Sequence, residues 1–241
     1  MKDKSVLILG ATSDIGLAIA KYYQQKGASV MLAARNTGGL TEAVKTLGSK
    51  TSIHTFDATD YASHITFFTS LPAVPDITVC VFGYLGDQSK AEIDWNEAKR
   101  IVDTNYTGCV SILNIVAQAY VKRGSGSIVG ISSVAGDRGR QSNYIYGSAK
   151  AGFTAYLSGL RNKLFKQGVN VITVKPGFVN TKMTAGLPLP KSLTAQPEQV
   201  ARRVGGAVSS GKSVVYVLPV WALIMLVIRC LPEFIFKRMK L

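Results

Sequence analysis

Short, unbroken apolar runs alternate with segments of helical spacing along most of the chain. Val6-Leu7-Ile8-Leu9 is such a run, stopped by Gly10, and reads as a strand buried on both faces. Asp14–Lys26 follows with Ile15, Ala18, Ile19, Tyr22 and Tyr23 at helical spacing, and it ends at Gly27. Further strands are predicted at Val30–Ala33, Ser52–Phe56, Ile77–Phe82, Ser127–Ser132, Val169–Lys175 and Ser213–Leu218. Helices are predicted at Leu40–Leu47, Ala62–Leu71, Trp95–Arg123, Tyr144–Gln167 and Glu198–Ser209. This alternation predicts an α/β, doubly wound parallel sheet of about seven strands with helices on both faces. No linker rich in Gly, Ser or Pro divides the chain. Residues 1–218 therefore read as one domain and 219–241 as a hydrophobic, basic appendage.

Composition narrows the class. At 241 residues and 47% hydrophobic, the chain can bury a large core, which argues against disorder. Three widely spaced cysteines, Cys80, Cys109 and Cys230, fit neither a disulfide scaffold nor a zinc cluster. His54 and His64 stand in stretches poor in other ligands, so no metal site is expected. The net charge is +14 and unevenly placed. Residues 1–120 carry 10 basic and 11 acidic side chains, whereas residues 121–241 carry 18 and 3. A half so cationic suggests a polyanionic partner: nucleic acid, an acidic membrane or a phosphorylated ligand. No aromatic-rich basic platform or helix-turn-helix is present, which argues against nucleic acid.

Gly10-Ala11-Thr12-Ser13-Asp14-Ile15-Gly16 joins the first strand to the first helix. A glycine turn there aims backbone N–H groups and the positive helix end at a pyrophosphate. Gly10 permits the tight turn and Gly16 a close backbone approach. The second strand ends Leu32-Ala33-Ala34-Arg35-Asn36, without the carboxylate that would receive an NAD ribose. Arg35 is either a solvated loop charge or the partner of a 2′-phosphate. The glycine loop upstream favours the phosphate, hence NADP(H) over NAD(H).

Tyr146 and Lys150 lie four residues apart on a predicted helix and so share a face. An ammonium beside a phenol favours its anion, which suits proton exchange with a carbonyl or alcohol. Ser133 ends the fifth strand, where parallel sheets bind ligands, and can hydrogen-bond a substrate oxygen. A tyrosine–lysine pair alone is usually packing, but here it follows a dinucleotide motif and a strand-end serine.

In this order the motifs resemble the short-chain dehydrogenase/reductase family over roughly Ser5 to Leu218. The matching pieces are Gly10–Gly16, Asp57, Asn105 in Asn105-Tyr106-Thr107-Gly108, Ser133, Tyr146, Lys150 and Pro176-Gly177-Phe178-Val179-Asn180-Thr181. The resemblance implies a Rossmann-type fold and hydride transfer to a ketone from a nicotinamide cofactor. It implies Tyr146 as acid, Ser133 polarising the carbonyl, and Lys150 tuning Tyr146 and holding the ribose. Asn105 would anchor a proton-relaying water. Cofactor contacts would come from Gly10, Thr12, Ser13, Asp14, Ile15, Gly16, Arg35, Asp57, Gly83, Tyr146, Lys150, Pro176, Gly177, Val179 and Thr181. Family members often form dimers and tetramers, so a homo-oligomer is expected.

Two segments depart from the family pattern. Asp14 replaces the middle glycine of the loop, and Phe82-Gly83-Tyr84-Leu85-Gly86-Asp87 replaces the usual Asn-Asn-Ala-Gly. With Arg138-x-Arg140-x-x-Asn143-Tyr144-x-Tyr146, these resemble one subgroup, the reductase partner of the decaprenylphosphoryl-ribose 2-epimerase. That resemblance implies reduction of a 2-keto pentose on a polyprenyl phosphate to the arabinose epimer, within cell-envelope biosynthesis. A separate flavoenzyme, a candidate partner, would make the ketone. Arg138 and Arg140, beside the substrate mouth, are either phosphate ligands or solvated loop charges; a phosphodiester substrate favours the former. The alternatives are a ketoreductase for another lipid or small-molecule ketone, and a non-catalytic NADPH-binding regulator. Retention of Asn105, Ser133, Tyr146 and Lys150 argues against the regulator.

The two ends of the chain bear on location. Met1 to Lys4 is polar and the apolar run after it is too short for a secretory signal, so a cytoplasmic or peripheral membrane location is expected. Pro219 can open a helix, and Val220–Leu231 is apolar nearly all round except for Arg229. Such a helix reaches ~18 Å against a hydrocarbon core of ~30 Å. An interfacial anchor is therefore favoured over a spanning helix, with Trp221, Phe234, Ile235 and Phe236 at the interface. Lys237, Arg238 and Lys240 would meet anionic headgroups at about 1 kcal/mol each. Packing on a partner subunit is the other reading.

Overall fold

The structure is a computed structural model and describes residues 3–239; Lys240 lies outside the described residues. The strands in chain order are β1 (Ser5–Leu9), β2 (Ser29–Ala34), β3 (Thr51–Thr55), β4 (Ile77–Cys80), β5 (Gly126–Ile131), β6 (Val169–Lys175), β7 (Phe178–Val179), β8 (Thr194–Ala195) and β9 (Val214–Tyr216). Seven of them form one parallel sheet in the order β3-β2-β1-β4-β5-β6-β9, while β7 and β8 pair separately. Val6 stands opposite Val30 on one side and Ile77 on the other, and Leu9 opposite Ala33 and Cys80. The sheet grows outward in both directions from the β1–β4 boundary. That switch point opens a crevice at the carboxyl ends of the strands.

The helices are α1 (Asp14–Gln25), α2 (Thr41–Leu47), α3 (His64–Thr69), α4 (Gln88–Ala91), α5 (Trp95–Val102), α6 (Gly108–Arg123), α7 (Tyr144–Leu164), α8 (Pro197–Ser209), α9 (Val220–Cys230) and α10 (Glu233–Phe236). Alternation along β1 sends Val6 and Ile8 into one core, shared with α1, α2 and α8, and Leu7 and Leu9 into another, shared with α3, α6 and α7. All four are fully buried, each worth about 1.5–3 kcal/mol. This two-faced burial is why β1 is apolar without a break.

The helix expected over Trp95–Arg123 is not continuous. A wide π-turn over Asp103–Thr107 separates α5 from α6. Asn105 Nδ2 bonds the Ile101 carbonyl at 2.8 Å, taking an acceptor that regular helix would use. At Gly108, a Cβ would lie 2.1 Å from the Ala58 carbonyl oxygen, so only glycine lets the chain pass. The short α4 was not legible in the pattern; Asp87 caps it by accepting from the Lys90 N–H at 2.9 Å.

The appendage is helical as expected, and one face of it is packed. Trp221 and Met225 of α9 are buried against Val134, Phe178 and Tyr216. No helix among the described residues is long and apolar enough to cross a membrane.

Candidate active site

The glycine turn is built by two glycines and a cap. Gly10 adopts φ +97°, and a Cβ there would lie 2.6 Å from the Phe82 nitrogen. A Cβ on Gly16 would lie 2.7 Å from the Gly10 carbonyl oxygen. Ser13 closes the turn, donating to Gly10 O at 2.8 Å and accepting from the Gly16 N–H at 3.0 Å. The N–H groups of Thr12, Asp14 and Ile15 have no protein acceptor among the described residues. They border a cleft of about 330 Å³ at the switch point. Free N–H groups at a helix start are what a pyrophosphate requires.

Of the expected cofactor residues, the cleft brings together Gly10, Thr12, Ser13, Asp14, Ile15, Arg35, Asp57, Gly83 and Thr181. Arg35 is exposed at the end of β2 and has no carboxylate partner among the described residues. Partial burial works against the Asp57 carboxylate, but the N–H and hydroxyl of Thr59 and the Arg35 charge outweigh it and hold its pKa below the usual range. Asp14, the odd residue of the loop, accepts at Oδ2 from the Lys182 N–H at 2.7 Å.

Six of the expected contact residues, Gly16, Tyr146, Lys150, Pro176, Gly177 and Val179, lie outside the lining of this cleft. Gly177 is covered by the Trp221 ring, which a Cβ would approach to 2.0 Å. Val179 points its side chain into the core. Tyr84, Arg100, Thr104 and Met183 line the cleft without having been expected. Arg100 stacks over the Tyr84 ring at 4.0 Å, and the Tyr84 hydroxyl donates to buried Glu97 at 2.8 Å. That acceptor raises the pKa of Tyr84. The departing sequence at 82–87 was a signal for Tyr84; nothing in the sequence singled out Arg100.

Of the expected catalytic set, Asn105 and Lys150 both approach Gly83 at the edge of the cleft. Lys150 is buried on α7, and its Nζ donates to the Ile131 carbonyl at 3.1 Å. The same Nζ stands 5.8 Å from the centre of the Tyr146 ring. It has no carboxylate partner among the described residues. Ser133 follows β5, and its Oγ accepts from the Ala135 N–H at 3.1 Å. Asn105, fully buried, gives both amide protons to backbone carbonyls, Tyr84 O at 2.6 Å and Ile101 O at 2.8 Å. Its Oδ1 receives the Tyr84 N–H at 3.2 Å. Its side chain thus holds the segment after β4 in place. At Gly83 a Cβ would meet Asn105 Oδ1 at 2.9 Å and Lys150 Nζ at 3.4 Å, so glycine keeps these two groups adjacent.

The two arginines expected at the substrate mouth have different surroundings. Arg138 donates to the carbonyls of Ile228 and Leu231, each at 2.6 Å, and to Glu233 Oε2 at 2.8 Å. Its guanidinium also lies 3.8 Å from the Phe236 ring centre. It ties the end of α9 to the loop after β5 through three of its N–H groups. Arg140 has no carboxylate partner among the described residues, and its Nε is buried without an acceptor. Burial lowers its pKa. Asn143 Oδ1, in the same turn, is likewise buried and unpartnered.

A parallel sheet of this order, with a pyrophosphate-type turn and a serine, tyrosine and lysine at its carboxyl end, defines a class: nicotinamide-dependent oxidoreductases of Rossmann type. The chain belongs to the short chain dehydrogenase family, whose model matches residues 4–191. It is 42% identical over 243 residues to an oxidoreductase of Mycobacterium tuberculosis, named uncharacterized oxidoreductase Rv2073c, covering 97% of this chain and 96% of that one. It is 28% identical to the 3-oxoacyl-[acyl-carrier-protein] reductase FabG of Chlamydia muridarum, covering 77% of each chain. Among solved structures, an actinorhodin polyketide ketoreductase with NADPH superposes with TM-score 0.79 at 25% identity, over 90% of this chain and 97% of that one. The closed form of serine dehydrogenase complexed with NADP+ gives TM-score 0.79 at 26% identity, over 88% and 92%.

Proposed function

We propose that the protein is an NADPH-dependent ketoreductase whose substrate is a phosphorylated, lipid-linked keto sugar, most closely the 2-keto pentose of a polyprenyl phosphate. The observation that carries the phosphorylated substrate is Arg140, a guanidinium without a counter-ion whose Nε is buried and unpartnered. Asn143 Oδ1, three residues on, is also an acceptor without a partner, suited to a sugar hydroxyl. Arg35, exposed and unpaired at the cleft, supports NADPH over NADH.

The nicotinamide, when bound, supplies the hydride. Tyr146 delivers the proton to the carbonyl oxygen from its hydroxyl. Ser133 donates a hydrogen bond to the same oxygen and polarises it; its Oγ accepts from Ala135, which leaves its proton free for substrate. Lys150, whose Nζ stands 5.8 Å from the centre of the Tyr146 ring, would hold the nicotinamide ribose. Asn105 positions the segment after β4, and Gly83 with it, against Lys150.

The test is NADPH oxidation with a keto-pentosyl polyprenyl phosphate beside simple ketones and a 3-oxoacyl thioester. Preferential turnover of the keto sugar supports the reading. Preference for the 3-oxoacyl thioester would favour the chemistry named for the Chlamydia relative. Tyr146→Phe is expected to lower kcat by about a thousandfold or more and leave NADPH affinity within about twofold. A fully active variant would refute the role of Tyr146.

A further inference from the structure

Helix α9 has two faces with opposite surroundings. Trp221 and Met225 are buried, and the Trp221 indole N–H donates to the Leu193 carbonyl at 3.0 Å. On the other side Leu223, Leu226 and Val227 are 64, 60 and 55% exposed. Their i, i+3 and i+4 spacing makes one stripe. Phe234 of α10, 60% exposed, adds an aromatic side chain just beyond Pro232. A stripe of exposed large apolar side chains marks an interaction surface.

The charges around it are basic with one exception. Arg229, Lys237 and Arg238 are exposed. Glu233 is the one acidic side chain between 219 and 239, and Arg138 pairs with it. We infer that the exposed face of α9 and α10 is a docking surface for an anionic lipid bilayer, lying in the interface plane. The apolar stripe enters the acyl boundary and the basic side chains meet the headgroups. The length agrees, because no described helix can span a membrane. A second copy of the chain fits less well. A two-fold contact here would bring one cationic rim against another, with no free carboxylate to answer it.

The surface is also fastened to the catalytic loop. Arg138 holds the carbonyls of Ile228 and Leu231 five residues after Ser133. Val134, next to Ser133, packs on Trp221 and Met225. One layer of side chains therefore separates the lipid-facing stripe from the Ser133 loop. Access of a lipid-borne ketone by this route rests on the ketoreductase reading, whereas bilayer docking does not.

The experiment is flotation of the full chain with vesicles of phosphatidylglycerol and phosphatidylcholine, and with phosphatidylcholine alone. The protein is expected to float with the anionic vesicles, and high salt to release most of it. Leu226→Glu with Val227→Glu is expected to cut the bound fraction about tenfold or more. Both positions are exposed, so NADPH affinity and turnover of a soluble ketone should stay as in the parent. Lys237→Glu with Arg238→Glu, a second variant, should weaken binding to anionic vesicles alone. Failure of the parent to float, or equal binding by the Leu226/Val227 variant, would overturn the inference. So would a dimer that this variant splits without any vesicle binding, since that assigns the face to a second copy. Flotation is read without turnover: vesicle binding with no ketone reduction sinks the ketoreductase reading alone.

Discussion

Asp14 Oδ2 accepts the Lys182 backbone N–H at 2.7 Å, joining two segments 168 residues apart. It ties the glycine turn to the loop after β7, and both line the cofactor cleft. The carboxylate also sits in the first turn of α1, where a negative charge suits the helix dipole. Asp14→Ala should cost about 1 kcal/mol, read from the urea midpoint. It should also speed tryptic cleavage after Lys182, while Asp14→Asn, which keeps an acceptor, should not. Unchanged cleavage in the alanine variant would show that the contact does not hold this loop.

Arg35 lines the cleft at the end of β2, and its proposed partner is a 2′-phosphate. Arg35→Ala should raise KM for NADPH about tenfold or more, the worth of a charge-assisted hydrogen bond. Adding Ala34→Asp should move preference toward NADH by supplying an acceptor for the ribose hydroxyls. Steady-state kinetics with both cofactors decides it, and an unchanged ratio would remove Arg35 from the cofactor site.

Arg138 and Arg140 should separate cleanly under mutation. Arg138→Ala removes three hydrogen bonds and the stacking on Phe236, so it should loosen α9 and α10. Hydrogen exchange of residues 220–236 should rise. Arg140→Ala should leave exchange there unchanged and raise KM about tenfold for a phosphorylated ketone but not for a neutral one. Equal effects on both substrates would make Arg140 a structural residue.

The side chains of Asp137 and Lys175, both buried, and half-buried Tyr216 form a cluster between the loop after β5 and the strands β6 and β9. Lys175 pairs with Asp137, and the Tyr216 hydroxyl donates to Asp137 Oδ2 at 2.7 Å. Burial, then the hydrogen bond to Asp137, pushes the Tyr216 pKa up from 10.0 to about 12. The folded chain therefore keeps a proton that the unfolded chain loses first. This contribution to stability is whole below pH 10 and disappears as pH rises to about 12. Tyr216→Phe should flatten that part of the alkaline stability curve, measured by urea midpoints across the window. Asp137→Asn, which leaves Lys175 buried without its partner, should cost about 3–5 kcal/mol near neutral pH.

The sheet and the glycine turn were legible because their signals are local. Val6–Leu9 must be apolar on both faces to be covered on both, and Gly10 must be glycine to turn against Phe82. Tyr146 and Lys150 share a helix face and Ser133 follows a strand end, as their spacing predicts, whereas Asn105 was singled out only by the family resemblance. The break at Asp103–Thr107 was not legible, because it depends on Ala58 pressing against Gly108 from a distant loop.

Sequence alone therefore determined the α/β class, the seven strands of the main sheet and the nucleotide turn, while the β7–β8 pair was not legible. What was legible follows from periodicity and neighbours within a few residues. Only tertiary structure decided which like residues have partners. Arg138 and Arg140 look equivalent in the chain, yet one is bound by a helix end 90 residues away and the other is left without a counter-ion. Lys182 and Gly177 were likewise explained only by Asp14 and Trp221. A side chain's function depends on what remains unsatisfied after packing, and the three-dimensional contacts decide what that is.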